Sequence, residues 1–227
     1  MLLKRLVIGM ALLCPAGAIA ADIGAALIAP ATHDQGPAGS GPATEQRCAL
    51  EGWTNNALPG DIEVRSAPHP NAPVIGWLPH TSALDERHSV RFRITASRAG
   101  WLRVEEASDR NNTGAERTVS SSPGWVAANS VSFGIQSARG YAAADQASRR
   151  LVDLGDDWAT DLGTVTRVLA CRDDWAQVDI VLKHRRGANG ELMDLPAKDQ
   201  TRYRAWFRGI CGNEETTCDM KSVDVGP

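Results

Sequence analysis

The side chains in this chain with chemistry to offer are five cysteines, five histidines, seven tryptophans and two adjacent aspartate pairs. A Cys–His hydrolase needs a free thiolate with a base beside it. Cys48, Cys171, Cys211 and Cys218 form an even set once Cys14, near the N-terminus, is set aside, and an even set is better spent on disulfides. Gly-x-Ser-x-Gly is absent, and Ser120-Ser121-Ser122-Pro123 reads as a polar loop. His33, His69, His80, His88 and His184 show neither H-E-x-x-H nor H-x-x-x-H spacing, and no C-x-x-C pair occurs. No metal site or cofactor follows from these patterns. Asp156-Asp157 and Asp173-Asp174 sit in turn-like sequence, whereas acid–base work needs two carboxylates held apart across a cleft. No catalytic residue is assigned.

The tryptophans lead further, outnumbering phenylalanine and tyrosine together by seven to five. Gly52-Trp53, Gly76-Trp77, Gly100-Trp101 and Gly124-Trp125 are evenly spaced, yet their flanks share no pattern, so a short solenoid repeat is excluded. Around them lie short segments of period-2 alternation separated by Gly, Pro, Asn or Asp. Ile62, Val64 and Ser66 alternate with Glu63 and Arg65, and Leu102 and Val104 with Trp101 and Arg103. That is the pattern of half-buried strands in a small antiparallel sandwich or barrel. Helix is scarce, with Asp145 to Leu154 offering at most a turn or two.

A longer repeat survives inspection. Val64-Arg65-Ser66, Val74–Leu78, Phe92–Ala96, Trp101–Val104 and Gly124-Trp125 are followed in the same order by Tyr141-Ala142-Ala143, Arg150–Leu154, Thr166–Ala170, Trp175–Val178 and Ala205-Trp206. Val64 to Tyr141 is an offset of 77 residues, Trp101 to Trp175 of 74, and Trp125 to Trp206 of 81. Offsets that drift across turns mark a duplicated fold. Trp101 and Trp125 recur as Trp175 and Trp206 and are expected to pack the scaffold. Trp53, Trp77 and Trp158 have no counterpart.

The N-terminus carries Lys4 and Arg5, a short apolar run and Ala18-Ile19-Ala20. The run is too short to span a bilayer and reads as a secretory signal over 1–20, cleaved after Ala20. Leu13 precedes Cys14 where lipid processing wants a small residue, so lipidation is not expected. Residues 21–47 form an Ala/Gly/Pro-rich leader that cannot bury enough apolar surface to order itself. The formal charge is −3, and loss of Lys4 and Arg5 makes it more acidic still. With no long Lys/Arg stripe, nucleic acid is excluded as a partner. Lys183-His184-Arg185-Arg186 reads as a solvated loop. No membrane span is expected after signal cleavage. Four cysteines allow three connectivities. Cys211–Cys218 is favoured because Gly212-Asn213 can turn the chain back, and Cys48 then pairs with Cys171.

The succession Ile62-Glu63-Val64-Arg65-Ser66-Ala67-Pro68, Val74-Ile75-Gly76-Trp77-Leu78-Pro79, Gly100-Trp101-Leu102-Arg103-Val104 and Gly124-Trp125-Val126 resembles the bacterial SH3-like domain family. The second copy is divergent: Tyr141-Ala142-Ala143 replaces Val-Arg-Ser, Asp145 stands at the proline position, and Ala205 rather than Gly precedes Trp206. The resemblance implies an all-β chain of two tandem SH3-like barrels, at 48–132 and 133–220, with a tail over 221–227. It further implies a non-catalytic, exported recognition module of the cell envelope, periplasmic or secreted, that binds a protein or a peptidoglycan peptide. Two alternatives stay open: a hydrolase or small-molecule enzyme using the insertions Ser108 to Pro123 and Lys183 to Arg204, and a purely structural envelope protein.

Trp77 is the first ligand-binding candidate. With Val74, Gly76 and Leu78 on the core face, Ile75 and Trp77 take the other, and exposed Trp is enriched where proteins grip partners. Packing against the second domain is the competing role. Trp53 and Arg65 are its neighbours in sequence and complete the candidate set.

Overall fold

Period-2 alternation becomes strand almost throughout the computed structural model, which describes residues 42–110, 114–120, 122–212, 214 and 223–224. The expected signal over 1–20, Cys14, most of the expected leader, Cys218 and most of the expected C-terminal tail lie outside the described residues. The first half contains β1 (Gln46–Thr54), β2 (Ile62–Arg65), β3 (Val74–Leu78), β4 (Arg91–Arg98), β5 (Trp101–Arg110), β6 (Glu116–Ser120), β7 (Gly124–Ala127) and β8 (Val131–Ser132). The second contains β9 (Gly134–Ile135), β10 (Arg139–Tyr141), β11 (Arg150–Asp153), α1 (Ala159–Leu162), β12 (Gly163–Arg172), β13 (Trp175–Leu182), β14 (His184–Arg186), β15 (Leu192–Asp194), β16 (Thr201–Phe207) and β17 (Ile210–Cys211). All strand ladders are antiparallel, and no sheet closes into a barrel among the described residues. Asp145 to Leu154 forms a turn followed by β11, not helix: the Asp145 side chain accepts from Ala147 N–H and so favours the turn.

The two main sheets repeat one another. The first runs β3-β2-β7-β5-β4, continued by β1 and β8, and the second runs β11-β10-β16-β13-β12. Bulges recur at matching places, between Arg91 and Arg93 and between Ile94 and Ala96 on β4, and between Val165 and Arg167 and between Val168 and Ala170 on β12. Register refines the alignment. Arg65 lies opposite Trp125, and Tyr141 opposite Trp206, so Tyr141 corresponds to Arg65 rather than to Val64. Each sheet buries one face in a common core and keeps a small aromatic cluster on the other. Trp101 and Trp125 pack with Ala96 and Ala127, and Trp175 and Trp206 with Tyr141 and Ala170. Tyr141 meets Trp175 edge-on at 5.5 Å.

Glycine usage explains why the second copy looks eroded in sequence. In the first sheet a Cβ on Gly124 would come within 2.2 Å of Val64 Cγ1, so glycine there is required by Val64. In the second sheet Gly140 takes the Val64 position, and a Cβ on it would meet Phe207 at 2.7 Å and Ala205 at 2.9 Å. The glycine has crossed to the facing strand, which lets Ala205 stand where Gly124 stands. Packed volume is conserved while the motif is lost.

Both halves feed a single core that runs from Leu50, Ile94 and Val104 to Val168, Val178 and Phe207. At their junction Ser97, only 1 % exposed, donates to Cys171 O at 2.8 Å and accepts from Cys171 N–H at 3.0 Å. Ser97 faces Leu102 as Cys171 faces Ala176, so equivalent positions of the two copies touch. β1 bulges between Arg47 and Leu50 and there pairs with the β12–β13 turn: Ala49 N–H donates to Asp173 O at 2.7 Å, and Asp173 N–H to Arg47 O at 2.8 Å. The Cys48–Cys171 disulfide closes this clasp, the pair expected once Cys211 is assigned to Cys218. Cys211 is disulfide-bonded, while the expected partner Cys218 lies outside the described residues.

The disulfide spans 123 residues, a loop long enough for an entropic contribution of about 5 kcal/mol. Replacing both Cys48 and Cys171 by Ser should lower unfolding free energy by about 2–5 kcal/mol in denaturant melts. Ser97→Ala alone strands both polar groups of Cys171 and should cost about 1–3 kcal/mol. Unchanged midpoints for both variants would show that the halves are held by other means.

Candidate functional site

β3 is the last strand of its sheet, and its outer edge pairs with no strand among the described residues. Edge strands invite pairing with another chain, and proteins normally blunt them with charge, proline or short length. β3 is short and lies between Pro73 and Pro79, but none of its five side chains is charged. Trp77 is 55 % exposed, Ile75 53 % and Val74 39 %, while Leu78 is buried.

A bulge alters the expected faces. Trp77 faces Glu63, Gly76 faces Val64, and Val74 rather than Ile75 faces Arg65. Val74 and Trp77 therefore share the outer face, although period-2 alternation from Trp77 would pair it with Ile75. Ile75, the extra residue, turns toward the inner side, where its Cδ1 would lie 3.3 Å from a Cβ on Gly124. The edge thus presents apolar side chains on both sides of one exposed backbone.

Arg65 shares a face of β2 with Glu63, the residue opposite Trp77, and is held in place rather than available. Its guanidinium pairs with Glu63, and Nη1 donates to Ala72 O at 2.7 Å. It lies between Val74 and the buried Trp125, which in turn faces Arg103. Trp53 is far from both: β2, β7, β5 and β4 separate β3 from β1, and Trp53 is half-buried against the common core. The structure puts Trp77 and Arg65 on adjacent strands and sets Trp53 apart. Val74 and Ile75 are the site residues that sequence reasoning passed over, and the bulge that exposes both carries no sequence signal of its own.

The matching edge of the second sheet is guarded. Arg150 and Asp153 stand where Val74 and Trp77 stand, with Arg139 facing Asp153. Arg150 pairs with Asp153 at 2.5 Å, and Arg139 Nε approaches it at 3.9 Å. The Asp153 carboxyl is held below the usual range, chiefly by the Gly155 N–H and then by Arg150 against the opposing effect of burial. The hydrogen bond from Arg150 to Asp153 raises the arginine in turn.

The connection leaving β3 is firmly anchored. Thr54 Oγ1 donates to His80 O at 2.9 Å and accepts from Val90 N–H at 3.1 Å. Buried Asp109 accepts from Ala83 N–H at 3.0 Å and is forked by Arg117. Asp85 takes two contacts from the Arg87 side chain, at 3.0 and 2.8 Å.

The insertions Ser108 to Pro123 and Lys183 to Arg204 contain the hairpins β5–β6 and β14–β15. Ser137 donates to Asp224 with Arg139 and Arg208 beside it, an anchor for residue 224. No group of three or more metal-ligating side chains converges among the described residues. An open groove of about 510 Å³ beside the Cys48 disulfide is lined by Arg47, Glu51, Arg93, Thr95, Ile210 and Gly212. No helix among the described residues is long and apolar enough to cross a membrane. Comparison of the chain with protein-family models, curated proteins and solved structures finds no match.

The Asp85 carboxyl is lowered to about 2, first by its side-chain hydrogen bond from Arg87 and then by the Arg87 backbone N–H. A depressed folded-state pKa contributes stability above the unfolded value near 3.9 that is lost as pH falls toward about 2. Asp85→Asn should therefore flatten the acid limb of the stability curve between about pH 4 and 2 and leave a pH-independent offset above it. Identical acid limbs would show that the Asp85–Arg87 pair does not form in solution.

Proposed function

We propose that this protein is a non-catalytic recognition module of the bacterial cell envelope, exported and built from two SH3-like copies. In this reading the first copy binds an extended peptide, from a partner protein or a peptidoglycan stem, by strand addition along β3. One observation carries it. At equivalent edge positions of one repeated fold, the first sheet exposes Val74 and Trp77 where the second places the paired Arg150 and Asp153. A scaffold that guards one edge and leaves its twin apolar has reserved the second for a partner.

The chemistry suits an extended chain. Unpaired backbone groups on β3 give affinity to any strand-forming ligand, and alternate side chains give selectivity. Trp77 supplies a large rigid surface on the outer face and Ile75 a smaller one on the inner. Arg65, fixed by Glu63 and Ala72, is a positioning residue that supports the Val74 side of the site. The Cys48–Cys171 disulfide supports an oxidising compartment, in keeping with the signal sequence.

Trp77→Ala should leave the melting temperature nearly unchanged and abolish retention on purified peptidoglycan, or on the partner protein recovered by crosslinking through β3. Truncating a hot-spot tryptophan costs about 2 kcal/mol, roughly thirtyfold in affinity. Ile75→Lys, which installs the charge that edges usually carry, should block binding as well. Retention equal to wild type in both variants would overturn the strand-addition reading.

A further inference from the structure

The second copy departs from the first at one more surface. The outer face of its sheet, the one bearing Trp175 and Trp206, can be read row by row from the register. Arg167 on β12, Asp179 on β13 and Arg204 on β16 lie side by side, and one pleat along Arg202 faces Val181. Arg172 closes the face at the other end, its guanidinium 6.0 Å above the Trp206 ring. On β10 and β11 Arg139 and Arg150 share this face with Asp153, while on β12, β13 and β16 four arginines share it with one aspartate, on a chain whose formal charge is −3.

Only Arg204 spends its charge on that aspartate, which it grips at 2.7 and 2.9 Å. Arg167 and Arg202 are exposed and make no ion pair among the described residues. The first copy, serving as an internal control, is balanced. There Arg93 occupies the Arg167 position and pairs with Glu106 at 3.1 Å, Glu105 takes the Asp179 position, and Pro123 precedes Trp125 where Arg204 precedes Trp206.

The insertion at the Arg202 end of this sheet, braced on α1, adds apolar surface. β14 and β15 form a hairpin between β13 and β16, leaving the sheet just past the Val181–Arg202 pair. Arg186 pins it through Asp157 at 2.7 Å and Asp161 at 3.5 Å. The hairpin exposes Leu192 by 50 % and Met193 by 38 %. Arg185 faces Met193, Lys183 stands at the hairpin's base, and neither cation is ion-paired among the described residues. The stretch that reads as a solvated basic loop in sequence is a braced hairpin with apolar and cationic side chains together.

We propose that this face and hairpin dock on the surface of an anionic lipid bilayer. Unpaired arginines meet lipid phosphates, and Leu192 and Met193 enter the headgroup boundary. Cations alone would suit any polyanion. Exposed apolar side chains braced beside them favour a membrane, where basic residues and shallow apolar insertion act together. The site is on the second sheet and independent of the β3 reading.

Sedimentation of the signal-cleaved protein with phosphatidylglycerol–phosphatidylcholine vesicles tests this, with pure phosphatidylcholine vesicles as the reference. The protein should sediment with the anionic vesicles only, and high salt should release it. Arg167→Gln with Arg202→Gln should weaken binding roughly 30-fold at unchanged melting temperature, and Leu192→Ser with Met193→Ser should weaken it too. Trp77→Ala should have no effect. Failure to bind anionic vesicles at low salt, or wild-type binding by the double arginine variant, would overturn the proposal. Full vesicle binding by the Leu192/Met193 variant, with equal capture by soluble dextran sulfate, would also overturn it, in favour of a general polyanion surface.

Discussion

Ser97 and Cys171 hold the two halves of this protein together. They occupy the same position in two copies of one fold, and they bond to each other twice. Self-contact of equivalent positions is the arrangement expected where two copies meet about a local two-fold, as in an isologous dimer. The Cys48 disulfide and the Asp173 turn lock the contact from the β1 side. Through this junction the inner faces of both sheets join into one hydrophobic core, so neither sheet has to stabilise itself with the apolar area of a small domain.

A shared core leaves the outer surfaces open to diverge. The edge strands have done so in opposite directions, with β3 apolar and β11 carrying a paired Arg150 and Asp153. The outer faces have diverged as well, balanced around Arg93 and Glu106 in the first copy and cationic around Arg167 and Arg202 in the second. Each copy serves as the control for the other, because strand order, bulges and aromatic clusters are common to both. Differences on that constant background point to use rather than to folding. This is what gives weight to a single exposed tryptophan, which on an unrelated protein would call for no explanation.

The β class and the recurrence of Trp101 and Trp125 as Trp175 and Trp206 were legible in the sequence through period-2 alternation and order, while the Cys48–Cys171 pair followed only from favouring Cys211–Cys218 among three connectivities. Exposure of Trp77 was legible through the same alternation. The bulge that turns Ile75 inward was not, because alternation assumes an unbroken ladder. Trp53 and Arg65 looked like companions of Trp77 only by proximity in sequence, and sheet order separates the first while an ion pair commits the second. Ala205 looked like decay of a motif until Gly140 showed the same volume exchanged across two strands. The Ser97–Cys171 contact belongs to the docking of one sheet on another, and no local pattern encodes it.

Hydrogen exchange with and without soluble peptidoglycan fragments bears most directly on the central claim, that β3 is an open edge held for an incoming strand. The account expects the amides of β3 that face solvent to exchange quickly in the unbound protein and to become protected on addition of fragments, with β11 unchanged. Protection confined to β11 or to the groove beside Cys48, or β3 amides already protected before any ligand is added, would contradict it.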